Sequence, residues 1–220
     1  MDLENIIIFG ANSYLAKKII PLLNFKKIIC ISNNLKIKKK NVIIFSDYDN
    51  NQIFINKFLK KNPTVIFFNN NSFDNLILNK SVDELKKELE ASLFSVYNNA
   101  RLICSNLIKY KGGSLIFVGS SRGLTSDIGI SGYAIGKNAL LGLMNSFAIE
   151  FSRFAIRSNY LSLGYFKSPL FNKIKYSNAL VNKTVLKKVG DYQSIVNAIE
   201  FLSSSNYITK SLLRIDGGFN

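Results

Sequence analysis

The sequence predicts an α/β protein: a doubly wound parallel sheet with helices on both faces. Three observations predict it. Short apolar runs alternate with longer stretches of helical periodicity along the whole chain. Gly10, Asn69, Ser120 and Gly164 each fall where such an apolar run ends. A chain of 220 residues with 47% hydrophobic content is long enough to bury one substantial core and short for two, so a single domain over residues 1–220 is expected.

The elements follow in order. Residues 5–9 (N-I-I-I-F) are an apolar run ending at Gly10, as a strand buried on both faces reads. Leu15 to Phe25 has helical spacing and stops near Asn24. Ile28 to Ser32 and Asn41 to Phe45 are the second and third strands, and Asp49 to Lys60 reads as an amphipathic helix studded with lysine. Pro63 breaks it before the fourth strand, Val65 to Phe68. A polar segment from Asn69 to Lys80 precedes a long helix. Its start is marked by Ser81 and Glu84, a capping box, and it continues in one or two pieces to about Lys109. Gly112-Gly113 turns into strand Ser114–Val118. Residues 133–155 form a second long helix with small residues on one face. Tyr160 to Leu163 is the sixth strand, 165–188 is an irregular segment suited to a substrate loop, Asp191 caps a helix to about Ser203, and Leu212 to Ile215 closes the sheet.

Strands joined through helices at this spacing imply right-handed βαβ crossovers, and hence three layers, αβα. In such sheets ligands bind beyond the carboxyl ends of the strands, near the switch in strand order. The four strand-end residues named above are therefore the places to look for chemistry.

Composition narrows the class. No apolar run reaches the ~20 residues of a membrane-spanning helix. Met1-Asp2-Leu3-Glu4 lacks the basic region and apolar stretch of a secretory signal, so a cytoplasmic protein is expected. Cys30 and Cys104 sit in apolar surroundings, and histidine is absent, which leaves neither a disulfide framework nor the ligands for a metal site. The formal charge of +15 invites a nucleic-acid reading. The lysines, however, are spread along the chain and arginines are few. The densest run, Lys36 to Lys40, lies between two strands, where it reads as solvated surface with an anionic cofactor or substrate as its functional use. No specific nucleic-acid partner is expected, only nonspecific attraction at low salt.

Gly10 opens a strand-to-helix turn through Ala11, Asn12, Ser13, Tyr14 and Leu15, where helix-start amides can receive a pyrophosphate, as in a Rossmann-like sheet. The glycine fingerprint is degraded: Tyr14 and Ala16 stand where two further glycines belong. Ser32 and Asn33, after the second strand, bring no carboxylate for a ribose diol. Together with Lys36 they favour NADP over NAD. Asp47, after the third strand, is placed to accept from an adenine amino group or to cap a turn.

Tyr133 and Lys137 are four apart near the start of a helix and share one face, with Ser120 thirteen residues before the tyrosine. An ammonium beside a phenol favours the phenolate and lowers a pKa that starts near 10. Tyr133 is then a general acid for carbonyl reduction and a base for the reverse. Ser120 is on the loop after the fifth strand and can bond the same carbonyl oxygen.

These residues resemble the short-chain dehydrogenase/reductase family in its classical form, as a divergent member, over essentially the whole chain. The resemblance implies that Ser120, Tyr133 and Lys137 are the catalytic serine, tyrosine and lysine, with Lys137 also gripping the nicotinamide ribose. The family's Asn-Asn-Ala-Gly segment corresponds to Asn69-Asn70-Asn71-Ser72, and its Pro-Gly followed by threonine to Leu163-Gly164 and Ser168. Asn69, Gly164 and Ser168 would line the cofactor. Ile215-Asp216-Gly217-Gly218 matches the usual C-terminal pattern. The fourth catalytic position, an asparagine that supports a water-linked proton relay, falls on Ser92. Similar enzymes pair through their long helices, which makes residues 81–109 and 133–155 the expected interface of a homodimer or homotetramer. The substrate is expected to be small or sugar-like, and anionic if Arg122, Lys167 and Lys173 meet a phosphate or carboxylate; a nucleotide-sugar is one such candidate. The alternatives are a non-catalytic nucleotide-binding or regulatory protein that keeps the fold, and a basic nucleic-acid binder.

Overall fold

The computed structural model describes residues 3–69, 74–168 and 177–219. Their strands are β1 (Asn5–Phe9), β2 (Lys27–Ile31), β3 (Val42–Phe45), β4 (Thr64–Phe67), β5 (Gly113–Ser120), β6 (Ile156–Leu163) and β7 (Leu212–Ile215). All pair in parallel in the order β3-β2-β1-β4-β5-β6-β7. The order reverses between β1 and β4, so the switch crevice opens between Gly10 and Asn69.

The inner strands β1, β2 and β4 and the middle of β5 are apolar on both sides because both sides are covered. Ile6, Ile8, Cys30, Ile66, Ile116 and Leu161 pack against helix α1 (Tyr14–Ile19) and a C-terminal helix, Tyr192–Ser204. The alternate residues Ile7, Phe9, Ile29, Val65, Phe67, Leu115 and Phe117 face the long helices α4 (Ser95–Tyr110) and α6 (Ser131–Phe151). On that second face Phe9, Phe67 and Phe117 occupy one cross-strand row, continued by Tyr160 on β6. Neighbouring phenylalanine rings in the row stack at 5.1 Å. Among the described residues no helix is long and apolar enough to cross a membrane.

The remaining helices are α2 (Gln52–Ile55), α3 (Val82–Leu89), α5 (Ser121–Thr125), α7 (Ser177–Asn182) and the C-terminal α8 (Tyr192–Ser204). Ser81 caps α3 in the expected capping box with Glu84. The long helix does continue from α3 into α4, but through one wide turn of π-helix at Glu90–Phe94. One extra residue is accommodated there, and Ser92 lies within it.

Three local expectations are corrected. The helix expected over Asp49–Lys60 is a short α2 between two tighter turns, Asp49–Asn51 and Asn56–Leu59. Its asparagines bond locally instead: Asn51 Nδ2 donates to the Asp47 carbonyl, and Asn56 Oδ1 accepts from Tyr48. Strand β6 begins at Ile156 rather than Tyr160. Arg157, Ser158 and Asn159 hid its start because they are polar, yet each is buried and hydrogen-bonded. Strand β5 extends through Gly119 and Ser120, since Gly119 has no side chain to collide with the Tyr160 ring; a Cβ there would lie 1.8 Å from it.

Candidate active site

The switch crevice is built by close backbone approach. Gly10 has φ +69°, and a Cβ on it would lie 2.8 Å from the Asn69 amide nitrogen. Only glycine combines that conformation with that approach. Ser13 caps α1 and its hydroxyl accepts from Ala16 N. Asn12 and Tyr14 are exposed on the same turn, and Leu15 is half-buried. Tyr14 does not fold over the turn but reaches towards α8, where its phenol hydrogen-bonds the Tyr192 phenol. Tyr192 in turn donates to the Lys167 carbonyl at 2.6 Å, so the loop after β1 is tied to the loop after β6. Across the crevice, Asn69 Nδ2 donates to Ser95 at 3.4 Å, while Asn69 Oδ1 is buried with no hydrogen-bond partner. A buried acceptor of this kind at a strand end fits a hydroxyl-bearing ligand such as the ribose of a dinucleotide.

At the far end, the Ser32 hydroxyl bonds the Asn33 carbonyl within a turn that continues through a left-handed Asn34 (φ +61°). Asp47 caps its own turn: its carboxylate accepts from Asn50 N and Ser46, and these bonds, the backbone one first, hold its pKa below the ordinary carboxylate value. Gly164 N donates to the Ile215 carbonyl, and a Cβ on Gly164 would sit 2.5 Å from Asp216 Cα. The glycine is thus required by the β6–β7 contact. Ser168 is half-buried four residues on. Asn70, Asn71, Ser72 and Lys173 lie outside the described residues.

Ser120 is the last residue of β5, not a loop residue, and caps α5 by accepting from Gly123 N at 3.3 Å. Its side chain also hydrogen-bonds the Tyr133 phenol. Tyr133 is the third residue of α6. Its pKa is raised, contrary to the expectation: burial dominates, with the Ser120 bond and the Arg122 charge opposing it. Lys137 follows one helical turn on. Its ammonium lies over the Tyr133 ring, 5.7 Å from the centroid, and donates to the carbonyls of Val118 (3.1 Å) and Asn69 (3.4 Å). Burial pushes the lysine down to about 8. Ser92 is buried, its hydroxyl donating to the Glu88 carbonyl at 2.6 Å.

Several residues that hold this arrangement had no such role assigned from the sequence. Tyr160 donates to the Lys137 carbonyl at 3.0 Å, fixing α6 against β6. Ser121 donates to the Asp216 carboxylate and meets Ser162 at 2.9 Å, while Arg214 Nε binds the same carboxylate oxygen at 2.7 Å. The ends of β5, β6 and β7 are thereby locked together behind Ser120. Spacing cannot reveal the Tyr160 and Ser121 links, because they join residues 23 to 95 apart in the chain, whereas the Arg214–Asp216 bond is local.

Beside the Tyr133 phenol, Arg122 forms a long ion pair with Asp127 at 3.4 Å, both side chains partly exposed. The Arg122 charge is felt by both Tyr133 and Tyr165. Next to it opens a cavity of about 410 Å³ lined by Leu76, Ile77, Leu78, Asp127, Ile128 and Ser131. Its mouth is apolar: Ile77, Leu78 and Ile128 are among the most exposed large hydrophobic residues of the protein.

A single parallel sheet whose strand order switches at Gly10 and Asn69, with a serine, tyrosine and lysine gathered at its carboxyl edge, defines a dinucleotide-dependent class. Residues 64–220 match the family model described as enoyl-(acyl carrier protein) reductase. The 3-oxoacyl-[acyl-carrier-protein] reductase of Buchnera aphidicola is 27% identical, over 99% of this chain and 98% of its own. Among solved structures, a 4-hydroxyisoleucine dehydrogenase mutant complexed with NADH and succinate is 26% identical, with TM-score 0.82 over 97% of both chains. A variant of ElxO with NADPH bound shares the fold at 19% identity, with TM-score 0.85 over 100% of this chain and 99% of that one. The chain belongs to the short-chain dehydrogenase/reductase family. It is an NAD(P)-dependent oxidoreductase acting at a carbonyl or alcohol carbon. The expected preference for NADP over NAD is overturned: structural neighbours hold NADH or NAD⁺ as well as NADPH. The absence of a carboxylate at Ser32-Asn33 therefore does not decide between the two.

Proposed function

We propose that the enzyme interconverts a ketone and an alcohol on a small, anionic, acyl-type substrate, with Tyr133 as the proton donor in reduction. One observation carries the reading: a phenol kept neutral by burial faces the Ser120 hydroxyl with the Arg122 cation close by. The turn Gly10, Asn12, Ser13, Tyr14 and Leu15 would hold the dinucleotide's phosphates. Ser32, Asn33 and Asp47 would flank its adenosine end, and Gly164 and Ser168 the opposite wall. Asn69 Oδ1 and the Lys137 ammonium would meet the nicotinamide ribose. When bound, the nicotinamide supplies or takes up the hydride. Ser120 holds the substrate oxygen, and Tyr133 gives that oxygen its proton. Lys137, over the face of the Tyr133 ring, stabilises the phenolate left behind. Arg122 exchanges its long bond to Asp127 for a carboxylate or phosphate of the substrate.

Two things favour an acyl chain over a nucleotide-sugar: the cavity beside Arg122 presents Ile77, Leu78 and Ile128 at its mouth, and relatives are named as reductases of 3-oxoacyl groups. The long helices leave Phe94, Tyr97, Ile135 and Ile149 exposed, which supports assembly into a homodimer or homotetramer through them. A cytoplasmic location remains part of the proposal. The test follows oxidation of NADH and of NADPH with 3-oxoacyl thioesters, free keto acids, neutral ketones and sugar nucleotides. Turnover is expected with the first two and, at higher KM, with neutral ketones; Arg122→Ala should raise KM about tenfold or more for anionic substrates while sparing a neutral ketone. Turnover confined to sugar nucleotides would overturn the substrate reading; failure to bind either dinucleotide would overturn the chemistry.

A further inference from the structure

Lys80 and Glu88 form an ion pair inside the protein. The ammonium binds both carboxylate oxygens, at 2.8 and 2.7 Å, and the two side chains are 4% and 1% exposed. Taking two charges out of water is expensive, and a well-packed apolar pair of the same volume is often as stable or more so. Stability alone therefore does not account for it. Its location does.

The carboxylate rests on Gly132 of α6: a Cβ there would lie 1.6 Å from Glu88 Oε2 and 3.2 Å from Lys80 Nζ. One turn on, a Cβ at Gly136 would lie 2.7 Å from Ser92 Oγ, and Ser92 is itself bonded to the Glu88 carbonyl. Glu88 and Ser92, four apart, thus seat into a groove made by Gly132 and Gly136, also four apart. Those glycines immediately precede Tyr133 and Lys137. From the other side α6 is held by Tyr160 on the Lys137 carbonyl and by Ser158 on the Met144 carbonyl, at 3.0 Å each. The first two turns of α6 are clamped between a fixed carboxylate and the sheet.

We infer that the Lys80–Glu88 pair is a positioning element that sets the depth and rotation of α6, and through it where Tyr133 and Lys137 stand. A two-point lysine–carboxylate contact fixes the plane of the carboxylate, whereas apolar side chains in the same space would slide. The inference rests on Tyr133 and Lys137 being the catalytic pair. A shift of about 1 Å in a reacting group can reduce rate about a hundredfold.

Glu88→Gln keeps the shape and removes the charge. It is expected to lower kcat about 10- to 100-fold while KM for the reduced dinucleotide changes less than about threefold. The double variant Lys80→Met with Glu88→Leu covers the case in which the single variant does not fold. It should match or exceed the wild-type urea midpoint yet keep the kcat loss. Recovery of both stability and kcat in the double variant would show that the pair only fills space and would overturn the inference, as would wild-type kcat in folded Glu88→Gln. Tyr133→Phe is run alongside. If it is fully active, the catalytic reading fails; if it is inactive while the Glu88 variants turn over normally, only the positioning role fails.

Discussion

The ammonium of Lys137 stands over the face of the Tyr133 ring, 5.7 Å from its centroid. It is held there by donation to the Val118 and Asn69 carbonyls, which tie α6 to the ends of β5 and β4. The four-residue spacing on a helix brings the two residues together, but the strand ends decide which part of the tyrosine meets the charge. The phenol is consequently governed by burial, Ser120 and Arg122, and stays neutral.

Removal of that phenol is the first prediction. Tyr133→Phe keeps the ring under the Lys137 ammonium and deletes the proton. In reduction assays kcat is expected to fall about 10²- to 10⁴-fold, the usual worth of a positioned general acid. Dinucleotide affinity, measured by fluorescence titration, should stay within about threefold. A variant that retains more than a tenth of wild-type kcat would move the proton donor elsewhere.

The second prediction concerns pH. Burial lowers Lys137 to about 8 and raises Tyr133, so the lysine loses its proton first. Below about 8 the lysine is charged and the phenol neutral, which is the pair that reduction requires. As pH rises through about 8, kcat/KM, which reports the free enzyme, should fall. Stability should move the other way. The folded lysine binds its proton less tightly than the unfolded one, whose pKa is near 10.5, so the penalty is full below about 8 and is relieved between about 8 and 10.5. The urea midpoint relative to Lys137→Met should rise over that window. An activity limb at 10 or above would assign the ionisation to a different group.

Much of this was legible from the residues, and the reasons are specific. Apolar runs such as Ile6 to Phe9 and Val65 to Phe68 announce buried parallel strands because both sheet faces are covered. Ser81 and Glu84 announce a helix start because the capping box is local. The start of β6 was hidden because Arg157, Ser158 and Asn159 find their partners some 14 to 51 residues away. For the same reason the residues that the structure gathers, Ser120, Tyr133 and Lys137, could be named from spacing, while their supports, Tyr160 and the Lys80–Glu88 pair, could not. The dinucleotide preference failed differently: a missing carboxylate is compatible with either ligand.

The third prediction tests the bridge over the crevice. Tyr192 donates to the Lys167 carbonyl, and its phenol also meets that of Tyr14. The two loops it joins are those that would face the dinucleotide's phosphates. Tyr14→Phe keeps the ring beside Lys18 and loses one neutral hydrogen bond, worth about 1 kcal/mol. Dissociation of the reduced dinucleotide, followed by stopped-flow fluorescence, should quicken by about three- to tenfold. Unchanged or slower release would show that the bridge does not retain the ligand.

The last prediction separates fold from chemistry. Arg157 is buried at the start of β6 and donates to the Leu202, Ser203 and Ile208 carbonyls at 2.9 to 3.2 Å, the first two at the end of α8. Burial lowers its pKa, but an arginine keeps its charge. It thus satisfies carbonyls that a helix end leaves without partners, and complements the helix dipole there. Arg157→Met preserves length and apolar volume while stranding those acceptors. The loss is expected to be about 2–4 kcal/mol, from hydrogen bonds to a charged donor that cannot be replaced in a buried setting. The urea midpoint should drop accordingly, while kcat per folded molecule remains that of the wild type. The contact lies at the amino end of β6, the opposite end of the strand from Gly164, so a kcat loss equal to that of Tyr133→Phe would contradict this separation of the two ends of the sheet.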